Sequence, residues 1–241
     1  MNKKRILIII ACVLGLLFGS FYIYVSSYYH ADINETVLTS TNDLTVIQNE
    51  DSIVYVPEDV KAGYIFYPGA KVEYTSYAPL MKSLSEEGIL VVLLEMPFNI
   101  AFFNMNGAAS YLTQYDDVEN WYIGGHSLGG VVACSYAYKH QDDFKGMILL
   151  ASYPTKDFSD TSLSLLSIRG SNDQVLSTKS YKSAKTKWPK NSKEVVIEGG
   201  NHAFYGNYGN QKKDGKATIT RESQQSQTVD AITNFINEDL Q

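Results

Sequence analysis

The sequence predicts an α/β domain: a mainly parallel central sheet with helices on both faces. Three observations lead there. Apolar runs of strand length, such as Ile89–Leu94, lack polar alternation, as expected of strands covered on both sides. These runs take turns with stretches whose apolar residues fall at helical spacing. Residues 121–130 read as strand, sharp glycine-flanked turn and helix. A chain of 241 residues that is 44% hydrophobic suffices for one such domain plus an appendage.

The appendage comes first. From Ile6 to Val25 no residue is charged, and as a helix this run would extend about 30 Å, the thickness of a bilayer's hydrocarbon core. Lys3, Lys4 and Arg5 precede it, so residues 1–5 are expected in the cytoplasm and everything beyond residue 25 outside. Tyr22, Tyr24, Tyr28 and Tyr29 would then sit near the outer interface. Val25-Ser26-Ser27 is a poor signal-peptidase site, and too few apolar residues precede Cys12 for a lipoprotein box. The expectation is an uncleaved, single-pass signal-anchor over 6–25. Cys12 lies in it and Cys134 is the other cysteine, so the outer part can form no internal disulfide. The 20 Lys and Arg less the three at the N-terminus leave 17 against 26 Asp and Glu, a net charge of −9 outside. That argues against nucleic acid or an anionic lipid surface as the main partner.

Taken in order, residues 26–42 are polar and aperiodic and read as a tether, with the folded domain spanning 43–241. Leu44–Ile47 and Ile53–Val56 are short strands joined by a polar turn. Tyr64–Tyr67 is a strand ending in Pro68-Gly69. Tyr77, Leu80, Met81 and Leu84 mark a helix, with Gly88 just past its end. After the strand Ile89–Leu94, residues 102–112 have helical character despite Gly107. Met147–Ala151 and Leu163–Ile168 are buried-type strands, Thr178–Lys187 a helix and Glu194–Ile197 a last strand. Val229, Ile232, Phe235 and Ile236 share one face of a C-terminal helix that should pack on the sheet.

Gly125-His126-Ser127-Leu128-Gly129 is a G-x-S-x-G turn, which lifts a serine hydroxyl above the sheet at the start of a helix. A serine needs a base to take its proton, and a neutral imidazole is the usual one at pH 7. Of four histidines, His202 follows the last strand directly, where loops converge. The imidazole in turn needs a carboxylate to fix its tautomer, and Asp173 follows the strand Leu163–Ile168. All three expected catalytic residues, Ser127, Asp173 and His202, come after the carboxyl ends of strands. The backbone amides of Leu128 and Ala70 are the expected oxyanion hole, with Lys71 a surface charge.

Phe66-Tyr67-Pro68-Gly69-Ala70-Lys71-Val72, Gly125-His126-Ser127-Leu128-Gly129-Gly130, Gly200-Asn201-His202-Ala203-Phe204 and Tyr208-Gly209-Asn210-Gln211, continuing to Asp214-Gly215, carry a family likeness. From about residue 62 to 241 the chain resembles the α/β-hydrolase superfamily, in particular a branch of small bacterial serine hydrolases similar in outline to dienelactone hydrolases. The order Ser127, Asp173, His202 is that family's order. The resemblance implies the α/β-hydrolase fold and the triad but no particular substrate. Dienelactone hydrolases use a cysteine where this chain has Ser127, so their substrate does not carry over.

Ser152–Ser162 is too short to hold a cap domain, which predicts an open pocket walled by Met96, Phe98, Phe102 and Phe103, with Phe204 and Tyr205 as further candidates for its wall. A small-molecule ester with a short or medium acyl group is the expected substrate. No metal-ligand spacing or phosphate-cradling loop appears, so no cofactor and no metal are expected. A peptidase or an acyltransferase would use the same triad, and a catalytically silent surface binding module is the alternative of another class.

Overall fold

The computed structural model describes residues 2–241. Helix α1 (Lys3–Ser26) is capped at its start by the Asn2 side chain, which accepts from the Lys4 amide. It is long and apolar enough to cross a membrane, and among its residues only Val25 is buried by protein.

Eight strands follow, β1 (Leu44–Gln48), β2 (Ser52–Pro57), β3 (Ala62–Tyr67), β4 (Ile89–Leu94), β5 (Trp121–His126), β6 (Gly146–Leu150), β7 (Ser164–Gly170) and β8 (Ser192–Ile197). They form one sheet in the order β1-β2-β4-β3-β5-β6-β7-β8. β2 runs antiparallel to β1 and β4, and every pairing from β4 to β8 is parallel. The crossovers carry α2 (Ala78–Glu86), α3 (Ala109–Gln114), α4 (Leu128–Ala137) and α5 (Thr178–Ala184), and α6 (Arg221–Asp239) ends the chain.

Alternation along the buried strands splits the core in two. Tyr64 and Phe66 of β3 join Leu80, Met81 and Leu84 of α2 with Ile232, Phe235 and Ile236 of α6. Ile65 and Tyr67 join Val132, Ala133 and Cys134 of α4 on the opposite face. Helices thus cover both sides, as the unbroken apolar runs require, and no cap domain is present among the described residues.

Two local expectations change. Residues 102–112 are not one helix: a 3₁₀ turn over Ala101–Asn104 and then α3 are separated by a turn through Gly107, whose flexible backbone disfavours helix. Nor do residues 26–42 hang free. Tyr29 donates from its amide to the Lys71 carbonyl (2.8 Å) and accepts from the Glu73 amide (2.9 Å), and the Asp32 amide reaches the Asn207 carbonyl (2.7 Å). Ile33, Val37 and Leu38 pack on the α2–α6 core. Isolated apolar residues without a period look like a tether in sequence, because backbone pairing to distant loops leaves no local pattern.

Candidate active site

Ser127 sits between β5 and α4 with φ 52° and ψ −122°, a backbone region that a side chain disfavours. Its amide bonds the Leu150 carbonyl (3.0 Å), and its own carbonyl accepts from Ser152 Oγ (2.7 Å). The glycines on either side serve close approach. A Cβ on Gly125 would strike the Tyr67 carbonyl oxygen, and one on Gly129 would strike the Tyr67 and Pro68 carbonyls. The chain leaving β3 therefore passes directly over the serine turn.

That crossing segment has its own bonding. The Gly69 amide donates to Tyr77 Oη (3.2 Å) and the Lys71 amide to the Asn99 carbonyl (2.7 Å), whereas the Ala70 amide between them has no partner among the described residues. The amide of Leu128, in the first turn of α4, is also unpaired there. Both expected oxyanion donors are thus unspent.

Asp173 and His202 meet on the loops after β7 and β8. His202 Nδ1 lies 2.8 Å from Asp173 Oδ2, and both side chains are almost wholly buried. Asp173 Oδ1 accepts from the amides of Val175 and Leu176, each at 2.8 Å. A carboxylate so surrounded by donors accepts the Nδ1 proton of His202, which leaves Nε2 with a lone pair. That Nε2 is buried and has no protein partner among the described residues. His202 and Ser127 line the same pocket of about 230 Å³, with Leu128, Ala151, Tyr153 and Leu176 also in its wall.

The expected aromatic wall is elsewhere. Neither Met96, Phe98, Phe102 nor Phe204 lines this pocket. Met96 is buried in the core on the α4 face. Left-handed backbone at Phe98 (φ 58°) and Asn99 (φ 55°) turns the following loop outward, leaving Phe98, Phe102 and Phe103 about half exposed. Phe204 lies beneath the Arg221 guanidinium, 5.0 Å from its ring centroid. Tyr205 is buried against His126. Beyond the serine turn and α4, the pocket wall comes from Ala151, Ser152 and Tyr153 after β6 and Val175, Leu176 and Ser177 after β7, positions with no periodic or motif signal.

Three further groups hold the site, and sequence reasoning gave none of them a role. His126 is fully buried; its ring centroid is 4.5 Å from that of His202, and its Nδ1 lies 2.8 Å from Tyr77 Oη. Burial raises the Tyr77 pKa and keeps its proton, and its oxygen already accepts from Gly69, so the hydroxyl donates to His126 Nδ1. Burial first, then the neighbouring His202, push the His126 pKa well below its ordinary 6.5, so it stays neutral beside His202. The Asp214 carboxylate accepts from the Ala203 amide (2.9 Å) and the Gln174 amide (3.4 Å), tying the His202 loop to the Asp173 loop. Gln224 of α6 bonds both backbone groups of Asn201, at 2.9 and 2.8 Å. Among the described residues no group of three His, Cys, Asp or Glu could hold a metal ion.

Residues 63–226 match the Alpha/beta hydrolase family. The chain belongs to that family. Its strand order and serine turn accord with this membership. No curated protein matches the sequence. Among solved structures, a CIB-like hydrolase from Thermoplasma acidophilum is similar at a TM-score of 0.57 and 18% identity, over 79% of this chain and 99% of that one. Est1E from Butyrivibrio proteoclasticus gives 0.57 and 17%, over 81% and 100%. A dienelactone hydrolase from Anabaena variabilis gives 0.58 and 12%, over 80% and 99%. At these identities the likeness is one of fold.

Proposed function

We propose that this family member is a membrane-anchored serine hydrolase of carboxylic esters with short or medium acyl groups. Ser127 Oγ attacks the ester carbonyl carbon while its proton passes to His202 Nε2. Asp173 holds the imidazole and stabilises the imidazolium. The carbonyl electron pair moves onto oxygen, where the Leu128 and Ala70 amides receive it; losing one such donor typically costs about 3–4 kcal/mol. Collapse expels the alcohol, which takes the proton from His202, and leaves an acyl-serine. Water then repeats the sequence, releasing the acid and restoring Ser127.

One observation carries the reading: a buried, unpartnered His202 Nε2, on an imidazole whose Nδ1 is held by Asp173 and which shares its pocket with a strained serine. Neutral His126 supports it, since a second positive charge at that distance would oppose the imidazolium. Est1E, similar in fold, has been solved with ferulic acid bound, a carboxylic acid and so of the product class expected here, which supports the reading. Helix α1, preceded by Lys3, Lys4 and Arg5, is read as the span that holds the domain outside the cytoplasm.

Replacing Ser127 by Ala should lower kcat on ester substrates by on the order of 10⁵–10⁶ and abolish labelling by a fluorophosphonate. Comparable ester turnover by that variant overturns the assignment. An unlabelled native protein would instead make the domain a silent binding module.

A further inference from the structure

Three half-exposed phenylalanines stand together in the loop after β4: Phe98 (52% exposed), Phe102 (53%) and Phe103 (51%). Outside α1, the other exposed large hydrophobics are scattered: Ile47 on β1, Val60 between β2 and β3, Tyr138 just past α4 and Val196 on β8. An exposed aromatic group of this kind marks a binding surface more often than scattered single residues do. It is not a loose flap. The loop leaves Met96 buried in the core, turns through two left-handed residues, and accepts the Lys71 amide at the Asn99 carbonyl.

Its neighbour identifies what covers it. Phe21 of α1 packs edge-on against Phe98, with centroids 5.5 Å apart, and against Phe103 at 6.1 Å; Phe98 and Phe103 are themselves 5.3 Å apart. Phe21 lies within the uncharged run, four residues before Val25, the last of that run. At 1.5 Å per residue it sits about 6 Å below the outer end of the apolar span. Rings that touch it share its depth, and about 5–10 Å is the depth to which interfacial apolar side chains bury. Tyr24, beside Lys71 Nζ at 4.4 Å, supplies the amphipathic ring expected at that boundary.

We propose that Phe98, Phe102 and Phe103 form a second membrane contact, seated in the outer leaflet beside α1. The inference rests on α1 being a membrane span. The surface is aromatic, so it takes zwitterionic lipid, in keeping with a net charge of −9 on the outer part. Because Asn99 bonds Lys71, in the segment that passes over the serine turn, the contact ties that segment to the bilayer surface.

The test places single tryptophans in the full-length protein reconstituted in phosphatidylcholine vesicles containing acyl-chain-brominated lipid. Phe103→Trp and Phe102→Trp probe the loop, Phe18→Trp probes the span, and the unsubstituted protein gives the background of Trp121 and Trp188. The added emission at position 103 should fall at least twofold on going from unbrominated to brominated lipid, as should that at position 18. Quenching at 18 but at neither 102 nor 103 overturns the proposal and leaves the span intact. Absence of quenching at 18 as well removes the span and the proposal together. If the loop is unquenched and the protein is dimeric in the vesicles, a second copy is the occupant and the proposal is again overturned. None of these readouts depends on ester turnover, so a failure here is distinct from a failure of the catalytic reading.

Discussion

Ser127, the proposed nucleophile, is held in a strained backbone conformation. A side chain held at φ 52° and ψ −122° costs about 1–3 kcal/mol, and only glycine escapes most of that cost. Removing Oγ alone and removing the whole side chain should therefore differ. Ser127→Gly is expected to be about 1 kcal/mol more stable than Ser127→Ala by denaturant midpoint, both being inactive. The neighbouring His126 gives a pH signature. Its folded-state pKa lies well below 6.5, so below that pH the unfolded chain takes up a proton that the folded chain refuses. Its contribution to stability is complete above that value and declines as pH falls, by up to about 1.4 kcal/mol per pH unit until the folded group itself titrates. His126→Gln should flatten the dependence of the unfolding midpoint between roughly pH 5 and 6.5 by up to one proton. An unchanged slope would mean that His126 is charged in the native protein.

Among the elements, the loops after β7 and β8 carry the precision of the site. Asp173 and His202 are 29 residues apart, and Asp214 joins their loops by accepting from Gln174 and Ala203. Asp214→Ala leaves two amides without their acceptor and frees the His202 loop. A misplacement of about 1 Å in such a site lowers turnover on the order of 100-fold, so kcat should fall by roughly 10- to 100-fold. The rate of fluorophosphonate labelling should fall with it. The strands themselves were legible because their apolar runs are continuous. That Ser127, Asp173 and His202 would lie near one another was legible because each follows a strand end. Asp214 was visible only as part of a family motif, since its partners are backbone amides that carry no residue identity. The part of the pocket wall that follows β7 left no trace in sequence: Val175 and Leu176 look like any loop aliphatics.

At the scale of the whole molecule, the segment following α1 stitches the site together. Tyr29 pairs with Lys71 and Glu73 beside Ala70, and its hydroxyl accepts from the Lys212 amide (2.9 Å), while Asp32 reaches Asn207 in the loop beyond His202. One short segment thus joins the loop after β3, the loop beyond His202 and helix α1. Deleting residues 1–25 should leave a folded, active domain. Deleting on through residue 33 removes these bonds and should cost about 2–3 kcal/mol, or roughly 4–12 °C in Tm for a domain of this size, together with several-fold lower kcat. Equal Tm and kcat for the two truncations would reduce the segment to a passive linker.

Sequence by itself determined the α/β architecture, the apolar N-terminal helix and the serine turn, because each rests on a local pattern: a continuous apolar run, an uncharged stretch, glycines bracketing one residue. Only the tertiary structure decided which side chains surround Ser127, that residues 26–42 are bound along the domain, and that Phe98 and Phe103 face outward against Phe21. Those outcomes depend on contacts between segments tens of residues apart, made in large part by backbone groups that every residue shares, and no local pattern encodes them.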